Sequence, residues 1–475
     1  MALSSAQLPV AIIGGGITGL TAAHRLSRQG RAVRLFEASP RLGGVIRSER
    51  HDGWLVEGGP NSLQQTPAVA ALLAELGLDR DRLAPGPGAK NRYIVRDGRL
   101  LAAPASPPAF LKSKLFSPRA KLRLLREWFT RPRTRPADLS LAAFIEAHFG
   151  RELVDYALGP FVSGVYAGDA RSLSARHAFP ALWEAERAHG SLLRAQLAAA
   201  RARRTRGEPA GAPPIVSFAD GLETLPRALA ARLPAGSVEL NARVTDLTPG
   251  AAGQPWKVTW ALSDSGSPSP ALDTQSVSAV ILALPASALA GIVFHSDSGS
   301  QLSALSSQLT SLEYPPVSAL FLGYRRDQVA HPLDGFGLLV PPVENRPLLG
   351  VIFNSTLFPG RAPAGHVALT VMTGGALQPG LALLPDADLQ PLVSRELSAL
   401  LGVRGDPVFV RRTVCPRAIP QYNLGHERFL DLIAAAEHSH PGLFIGGQIR
   451  DGISLPACIA AGEKLAARAS STPSR

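Results

Sequence analysis

The first patterned stretch of the chain is an apolar run, Pro9 to Ile13, broken at once by Gly14, Gly15 and Gly16. Unbroken hydrophobicity over so short a span, ended by glycine, predicts a buried parallel strand. From Leu20 to Gln29 the pattern reads as a helix, and a second apolar run, Ala32 to Phe36, stops at Glu37. Strand, glycine turn, helix and strand in that order predict a βαβ unit. Further along, Val238 to Val244 and Trp256 to Trp260 read as adjoining strands, and Ser278 to Leu284 as a strand returning to the first sheet and stopping at Pro285. Leu443 to Ile445 is a short strand before Gly446 and Gly447, with a helix over Ile453 to Ala467. Phe218 to Leu222 opens a helix with Leu225 and Leu229 on one face. Gly207 to Pro214 reads as a linker and Ser263 to Gln275 as an exposed hairpin loop. No internal repeat is evident.

The first βαβ unit carries chemistry. Gly14, Gly16 and Gly19 form a G-x-G-x-x-G pattern between strand and helix. Such glycines permit a tight turn, close approach to a pyrophosphate and close packing of helix on sheet. The diphosphate would sit at the helix N-terminus, where free N–H groups favour negative charge. Glu37 can accept both ribose hydroxyls of an adenosine and repels a 2′-phosphate, which disfavours NADP. Arg41, Gly43 and Gly44 follow, then Gly58, Gly59, Pro60 and Asn61. Either these close over the second half of a longer cofactor, Arg41 offering charge to its diphosphate, or they form a surface hairpin. Likewise the Gly446–Gly447 turn either lays backbone donors beside an isoalloxazine ring or is an ordinary turn before a closing helix. The first choice in each case favours FAD over NAD.

These residues resemble the flavin-containing amine oxidase superfamily through Gly14 to Gly19, Glu37, Arg41, Gly43 and Gly44. Within it they resemble the oxygen-dependent protoporphyrinogen oxidases, through Glu57 to Leu63, Gly164 to Asp169, Tyr314 to Val317, Leu357–Phe358, Pro420 to Tyr422, and Gly425–His426. The resemblance implies an α/β FAD-binding (Rossmann-like) domain, an α+β substrate domain, and an inserted mostly helical membrane-associated domain. Mapped on this chain, the FAD domain takes residues 1–90, 207–285 and 436–475, the helical domain 91–206 and the substrate domain 286–435. The implied reaction is oxidation of protoporphyrinogen IX to protoporphyrin IX by FAD and molecular oxygen, with release of hydrogen peroxide. It further implies that Arg92 pairs with a substrate propionate and that Asn61 and Gly168 line the site. Leu338 and Phe358 would hold the tetrapyrrole, and the Val244 backbone would meet the adenine. Ala38 and Ile453 join the expected cofactor contacts. Diphenyl-ether inhibitors and a homodimer belong to the same expectation. Where relatives carry small or apolar residues after the glycine pair, this chain has Gln448, Ile449, Arg450 and Asp451, of which the last two read as a local pair.

Composition narrows the picture. At 475 residues, with 45% hydrophobic and 18% charged, the chain is globular and long enough for more than one core. The formal net charge is +12. No zinc-finger, helix-turn-helix or aromatic RNA-reading pattern accompanies it, so no nucleic-acid partner is expected. Nine of the cations, from Lys112 to Arg135, surround Leu122, Leu125, Trp128 and Phe129 at helical spacing. Such a helix either lies on an anionic membrane or packs on its own domain with a solvated basic face. No run spans a membrane and no signal peptide is read, so the expected location is cytoplasmic, peripheral to the cytoplasmic face of the cell membrane. Cys415 and Cys458 have no metal-ligand spacing, and no metal is expected. No nucleophile triad or paired-carboxylate motif stands out; His331 and His426 are not assigned as bases, and the chemistry is expected to be centred on the flavin. Competing readings are a coproporphyrinogen III oxidase forming coproporphyrin III, an amine or carotenoid oxidoreductase, and a non-enzymatic flavin scaffold.

Overall fold

The computed structural model describes residues 8–135, 137–207, 211, 213–250, 254–262, 271–295 and 301–471. Its organising element is a parallel five-stranded sheet in the order Val238–Glu239, Val33–Phe36, Val10–Ile13, Ala279–Leu282 and Leu443–Ile445. The central strands are apolar throughout because both faces are covered. Val10 and Ile12 point into one core, with Leu20, Leu72, Leu225 and Ile459. Ala11 and Ile13 point into another, with Trp256, Val258 and Ile433. The expected strand Val238–Val244 is two strands, parted at Asn241, whose φ is +56°. The first joins the parallel sheet; the second, Ala242–Thr248, joins a four-stranded sheet with Trp256–Leu262, Leu272–Val277 and Val293–Phe294. Leu272–Val277 falls where a loop was expected, and the remainder of that loop and part of the 207–214 linker lie outside the described residues.

Two helices from opposite ends of the chain, Ile17–Arg28 and Leu455–Ser470, pack side by side on this sheet. Their approach is close enough that a Cβ on Gly462 would lie 2.5 Å from the Thr18 carbonyl oxygen. Across the same junction Arg25 bonds both Glu463, at 2.6 Å, and Glu75, at 2.5 Å.

A seven-stranded sheet forms the second layer system. Its order is Phe409–Cys415, Val317–Arg325, His366–Gly374, Gly350–Ile352, Gly335–Leu339, Asn91–Arg96 and Arg99–Ala102. Helix Asp386–Leu401 covers one face, packing Leu389, Val393 and Leu397 on Leu320, Leu369 and Val371. Residues 91–102 thus form a hairpin in this sheet, and the helical stretch expected to begin at 91 starts at Pro107. The hairpin alternates apolar and polar only weakly, which hid it among the basic residues around it.

From Pro107 to Thr205 the described chain is helical. Ser106, Ser117, Ser140, Ser174 and Ser191 each cap a helix by accepting an N–H. Such caps hold short helices whose own propensity is modest. Leu111, Leu122, Leu125, Trp128 and Phe129 are exposed, Phe129 to 80%. Leu115, Phe116 and Ala120, between the same cations, pack into a core of their own domain, while these five side chains stay exposed. Among the described residues no helix is long and apolar enough to cross a membrane.

One consequence for stability concerns Glu75. Burial disfavours its charge, but hydrogen bonds from Arg25, Arg28 and His24 outweigh that and lower its pKa to about 2. A depressed carboxylate stabilises the fold fully above its unfolded pKa and loses that contribution as pH falls towards the folded value. Glu75→Gln is therefore expected to lower the urea midpoint near pH 7 and to narrow the gap to wild type near pH 3. A variant whose deficit is the same at both pH values contradicts this.

Candidate active site

Gly14 follows the first strand with φ at +107°, a value that disfavours any side chain. Its amide donates to the Phe36 carbonyl at 2.9 Å. A Cβ on Gly19 would collide with the Gly14 carbonyl oxygen, so glycine there lets the helix start directly beneath the turn. Gly16 caps that helix without a side-chain hydrogen bond, and a Cβ on it would meet nothing within 4 Å. The uncapped N–H groups thus face open space, the arrangement an anion needs. Glu37 is bonded to this turn: Oε2 accepts the Gly15 amide at 2.8 Å and Oε1 the Ser39 amide at 2.9 Å, with Ala38 half-buried between. Each oxygen keeps a lone pair for a hydroxyl.

The second glycine pair belongs to the same turn. Gly43 donates to the Gly15 carbonyl at 2.8 Å, and a Cβ on Gly44 would lie 3.2 Å from the Gly16 Cα. Arg41 donates to the carbonyls of Leu42, Gly44 and Ile46 at 3.2, 2.5 and 3.1 Å. Its guanidinium shapes the loop while its charge meets no carboxylate among the described residues. Gly58 is tied to the Arg47 carbonyl at 2.8 Å. Gly59 packs against Val45, and Pro60 leads into Asn61. Val244 is buried in the neighbouring sheet, where Ala242 donates to the Glu37 carbonyl at 2.9 Å.

At the other end of the chain, Gly446 donates to Leu282 and Gly447 has φ at +97°. The expected Arg450–Asp451 pair does not form. Asp451 accepts the Gly447 amide at 2.8 Å, while Arg450 turns to Glu437 at 3.0 Å. Both prefer these partners because Glu437 is buried and already faces Arg468, and Gly447 needs an acceptor for its N–H. Ile453 lies half-buried just ahead of Ser454, which caps the last helix.

A sequence model of flavin containing amine oxidoreductases matches residues 17–470. The chain belongs to this family. Protoporphyrinogen oxidase 2 of Arabidopsis thaliana, chloroplastic/mitochondrial by name, is 32% identical over 96% of this chain and 92% of its own. Mitochondrial protoporphyrinogen oxidase of Nicotiana tabacum is also 32% identical, over 95% and 93%. Coproporphyrinogen III oxidase of Bacillus subtilis is 28% identical over 97% of each chain. Among solved structures, a candidate protoporphyrinogen oxidase from Exiguobacterium sp. 255-15 shares the fold with a TM-score of 0.76, 22% identity and coverage of 97% and 98%. The plant relatives carry organelle names, which overturns the expected location in the cytoplasm, on the cytoplasmic face of the cell membrane.

A member of the flavin containing amine oxidoreductases carries a flavin, and the residues expected to hold a substrate beside it are dispersed more widely than the glycines. Arg92 is exposed, with its guanidinium 5.3 Å from the Phe336 ring centre. Gly168 packs on the Gln421 amide. Asn61 donates to the Gly59 carbonyl at 3.3 Å and accepts from Asn354 at 2.8 Å. Leu338 is a correction: it is 2% exposed, in the core beneath helix Asp386–Leu401, because strand alternation turns it to the helix side. Phe358 is another, 1% exposed with Arg361 over its ring at 5.5 Å. Neither has an open face for a ligand. His426 is neutral near pH 7, since burial pulls its pKa to about 4, and burial also lowers His331.

Arg361 is a feature the sequence did not announce. It is 1% exposed and donates to Ser217 Oγ at 2.7 Å and to the Phe218 carbonyl at 3.2 Å. Glu57 Oε1 lies 3.6 Å away, and Glu57 also accepts the Ser48 hydroxyl and the Leu222 amide. Burial raises the Glu57 pKa and lowers that of Arg361, so each charge depends on the other and on its neutral donors and acceptors. Arg361→Met, by leaving Glu57 uncompensated, is expected to cost about 3–5 kcal/mol in urea unfolding. Adding Glu57→Gln should recover part of that loss; additive losses would contradict a coupled pair.

Proposed function

We propose that this chain uses FAD and molecular oxygen to oxidise protoporphyrinogen IX to protoporphyrin IX, releasing hydrogen peroxide. The observation that carries the reading is near-full-length similarity to named protoporphyrinogen oxidases, joined to a glycine cradle assembled from both ends of one chain. The cradle suits FAD on its own terms. Gly14 and Gly19 shape the turn, the uncapped helix start at Gly16 offers its amides to a diphosphate, and Glu37 with Ala38 is placed for the ribose. Val244 sits beside Glu37 for the adenine. Gly43, Gly44, Gly58, Gly59 and Pro60 would flank the ring half, opposite Gly446, Gly447 and Ile453. This is the Rossmann-like part of the fold; the division at 1–90, 207–285 and 436–475 is kept for it, with 91–102 given to the substrate layer.

FAD, when bound, supplies the electron acceptor and passes electrons on to oxygen. The chain's own residues orient the tetrapyrrole. Arg92, exposed and without a carboxylate within 4 Å among the described residues, is available to a propionate. Asn61, fixed by Asn354 and the Gly59 carbonyl, and Gly168 line the site. With Leu338 and Phe358 buried, apolar support falls to faces left open near Gly168, those of Phe161 and Val165. Diphenyl-ether compounds would compete for the same surface, and a homodimer belongs to the same reading.

The helical segment is read as membrane-associated. Leu122, Leu125, Trp128 and Phe129 are exposed amid Arg119, Arg123, Arg126 and Arg131, the composition that suits an anionic bilayer surface. Coproporphyrinogen III oxidation is the second reading, favoured by the similarity to the Bacillus subtilis enzyme.

Porphyrin fluorescence under air, with protoporphyrinogen IX and coproporphyrinogen III in parallel, tests the substrate. Faster turnover of protoporphyrinogen IX is expected; preference for coproporphyrinogen III replaces the reading with its rival. Arg92→Ala is expected to raise KM about tenfold with little change in kcat, as loss of one charge-assisted pair would. Leu125→Ser with Phe129→Ser should reduce co-sedimentation with anionic vesicles several-fold. Equal binding by wild type and this double variant contradicts the membrane role.

A further inference from the structure

The segment Pro420–His426 ties several parts of the molecule together. Its Gln421 side chain donates to the Tyr166 carbonyl at 2.9 Å, and its Gln421 amide to the Glu313 carbonyl at 2.9 Å. Ser174 donates to the Tyr422 carbonyl at 2.8 Å, and Leu424 to the Ser172 carbonyl at 2.9 Å. One edge of the strap is thus stitched to the helical segment. From the same strap the Tyr422 hydroxyl crosses to the C-terminal glycine turn. It donates to the Gln448 carbonyl at 2.6 Å and accepts the Gly452 amide at 2.9 Å.

One hydroxyl therefore closes both sides of the turn that follows Gly447. Tyr422 is buried, and burial holds its hydroxyl protonated, its pKa far above the ordinary phenol range. The ring cannot swing away, because His426 stacks on it at 4.1 Å with planes 20° apart. His426 is in turn backed by Phe429 at 5.7 Å and His177 at 5.8 Å. The turn has other supports: Asp451 on Gly447 and Arg450 on Glu437. Removing the hydroxyl should thus shift the turn without unfolding it.

We propose that Tyr422 is a positioning residue for the flavin, setting the backbone of the 447–452 turn and linking it to the substrate-side helical segment. The proposal rests on the reading that this turn meets the isoalloxazine ring. Flavin electronics respond to the backbone dipoles beside the ring, so a displaced turn should change the bound cofactor itself.

The test uses purified holoenzyme carrying Tyr422→Phe. FAD affinity is expected to fall about tenfold, as loss of two buried hydrogen bonds would allow. The visible spectrum and reduction potential of the flavin that stays bound should shift, and kcat should fall, with KM for protoporphyrinogen IX within about twofold of wild type. Tyr324→Phe is the control, because the Tyr324 hydroxyl is buried in the seven-stranded sheet without a hydrogen-bond partner among the described residues. It should leave spectrum and potential unchanged. His426→Leu keeps the hydroxyl and frees the ring, and should shift the spectrum in the same direction by less. Unaltered spectrum and potential in both Tyr422→Phe and His426→Leu, whatever their melting temperatures, would overturn the proposal while leaving the oxidase reading intact. A wild-type chain that binds no flavin would instead overturn the oxidase reading.

Discussion

Everything that resembles a cofactor site here depends on one packing contact, between helix Ile17–Arg28 and helix Leu455–Ser470. Gly462 lets the two backbones meet at Thr18, and the contact puts Gly447 beside the same threonine. A Cβ on Gly447 would lie 3.4 Å from Thr18 Oγ1. Residues more than four hundred positions apart thereby border one space. Strands entering from positions 10, 33, 238, 279 and 443 complete the sheet beneath it. The free energy behind this closure is burial of apolar surface on both faces of a parallel sheet, which only non-local pairing can supply.

Around that closure, buried charges are held in small sets that satisfy one another. Glu57 and Arg361 join the glycine-rich segment, the stretch after the helices and the seven-stranded sheet. In the helical segment Glu127 accepts His148, Ser191 and two backbone amides, while Glu186 faces His148 and Arg135. These groups would be costly if left alone and are stable only as sets. Leu111, Leu122, Leu125, Trp128 and Phe129 are the opposite case, apolar side chains the fold leaves exposed.

The cradle was legible in the sequence because its chemistry is local: Gly14, Gly16, Gly19 and Glu37 announce a strand, a turn and a helix within a short span. The first parallel strands and the closing helix were legible for the same reason. What stayed hidden depends on tertiary contacts. Leu338 and Leu339 are chemically alike, and only strand parity decides which faces the helix. Arg450 and Asp451 look like a pair until the buried Glu437 competes for the arginine. The hairpin 91–102 pairs with a strand more than two hundred residues later, which no local pattern encodes. Arg361 and Tyr422 reach partners on distant segments; Pro420 to Tyr422 carried part of the family resemblance, but no local pattern gave the partners of either side chain. The compartment could not be read from the hydrophobic pattern at all, and it was the relatives that overturned it.

The central claim is that one space, closed by the two ends of the chain, holds a flavin that takes electrons from a porphyrinogen and gives them to oxygen. An anaerobic titration of the purified protein with protoporphyrinogen IX tests it most directly. The account predicts bleaching of a bound FAD spectrum without air, and, when air is admitted, its return with hydrogen peroxide and growing porphyrin fluorescence, since full oxidation removes six electrons and so takes about three flavin turnovers. A bound flavin that stays oxidised in excess protoporphyrinogen IX, while dithionite still reduces it, would contradict the claim.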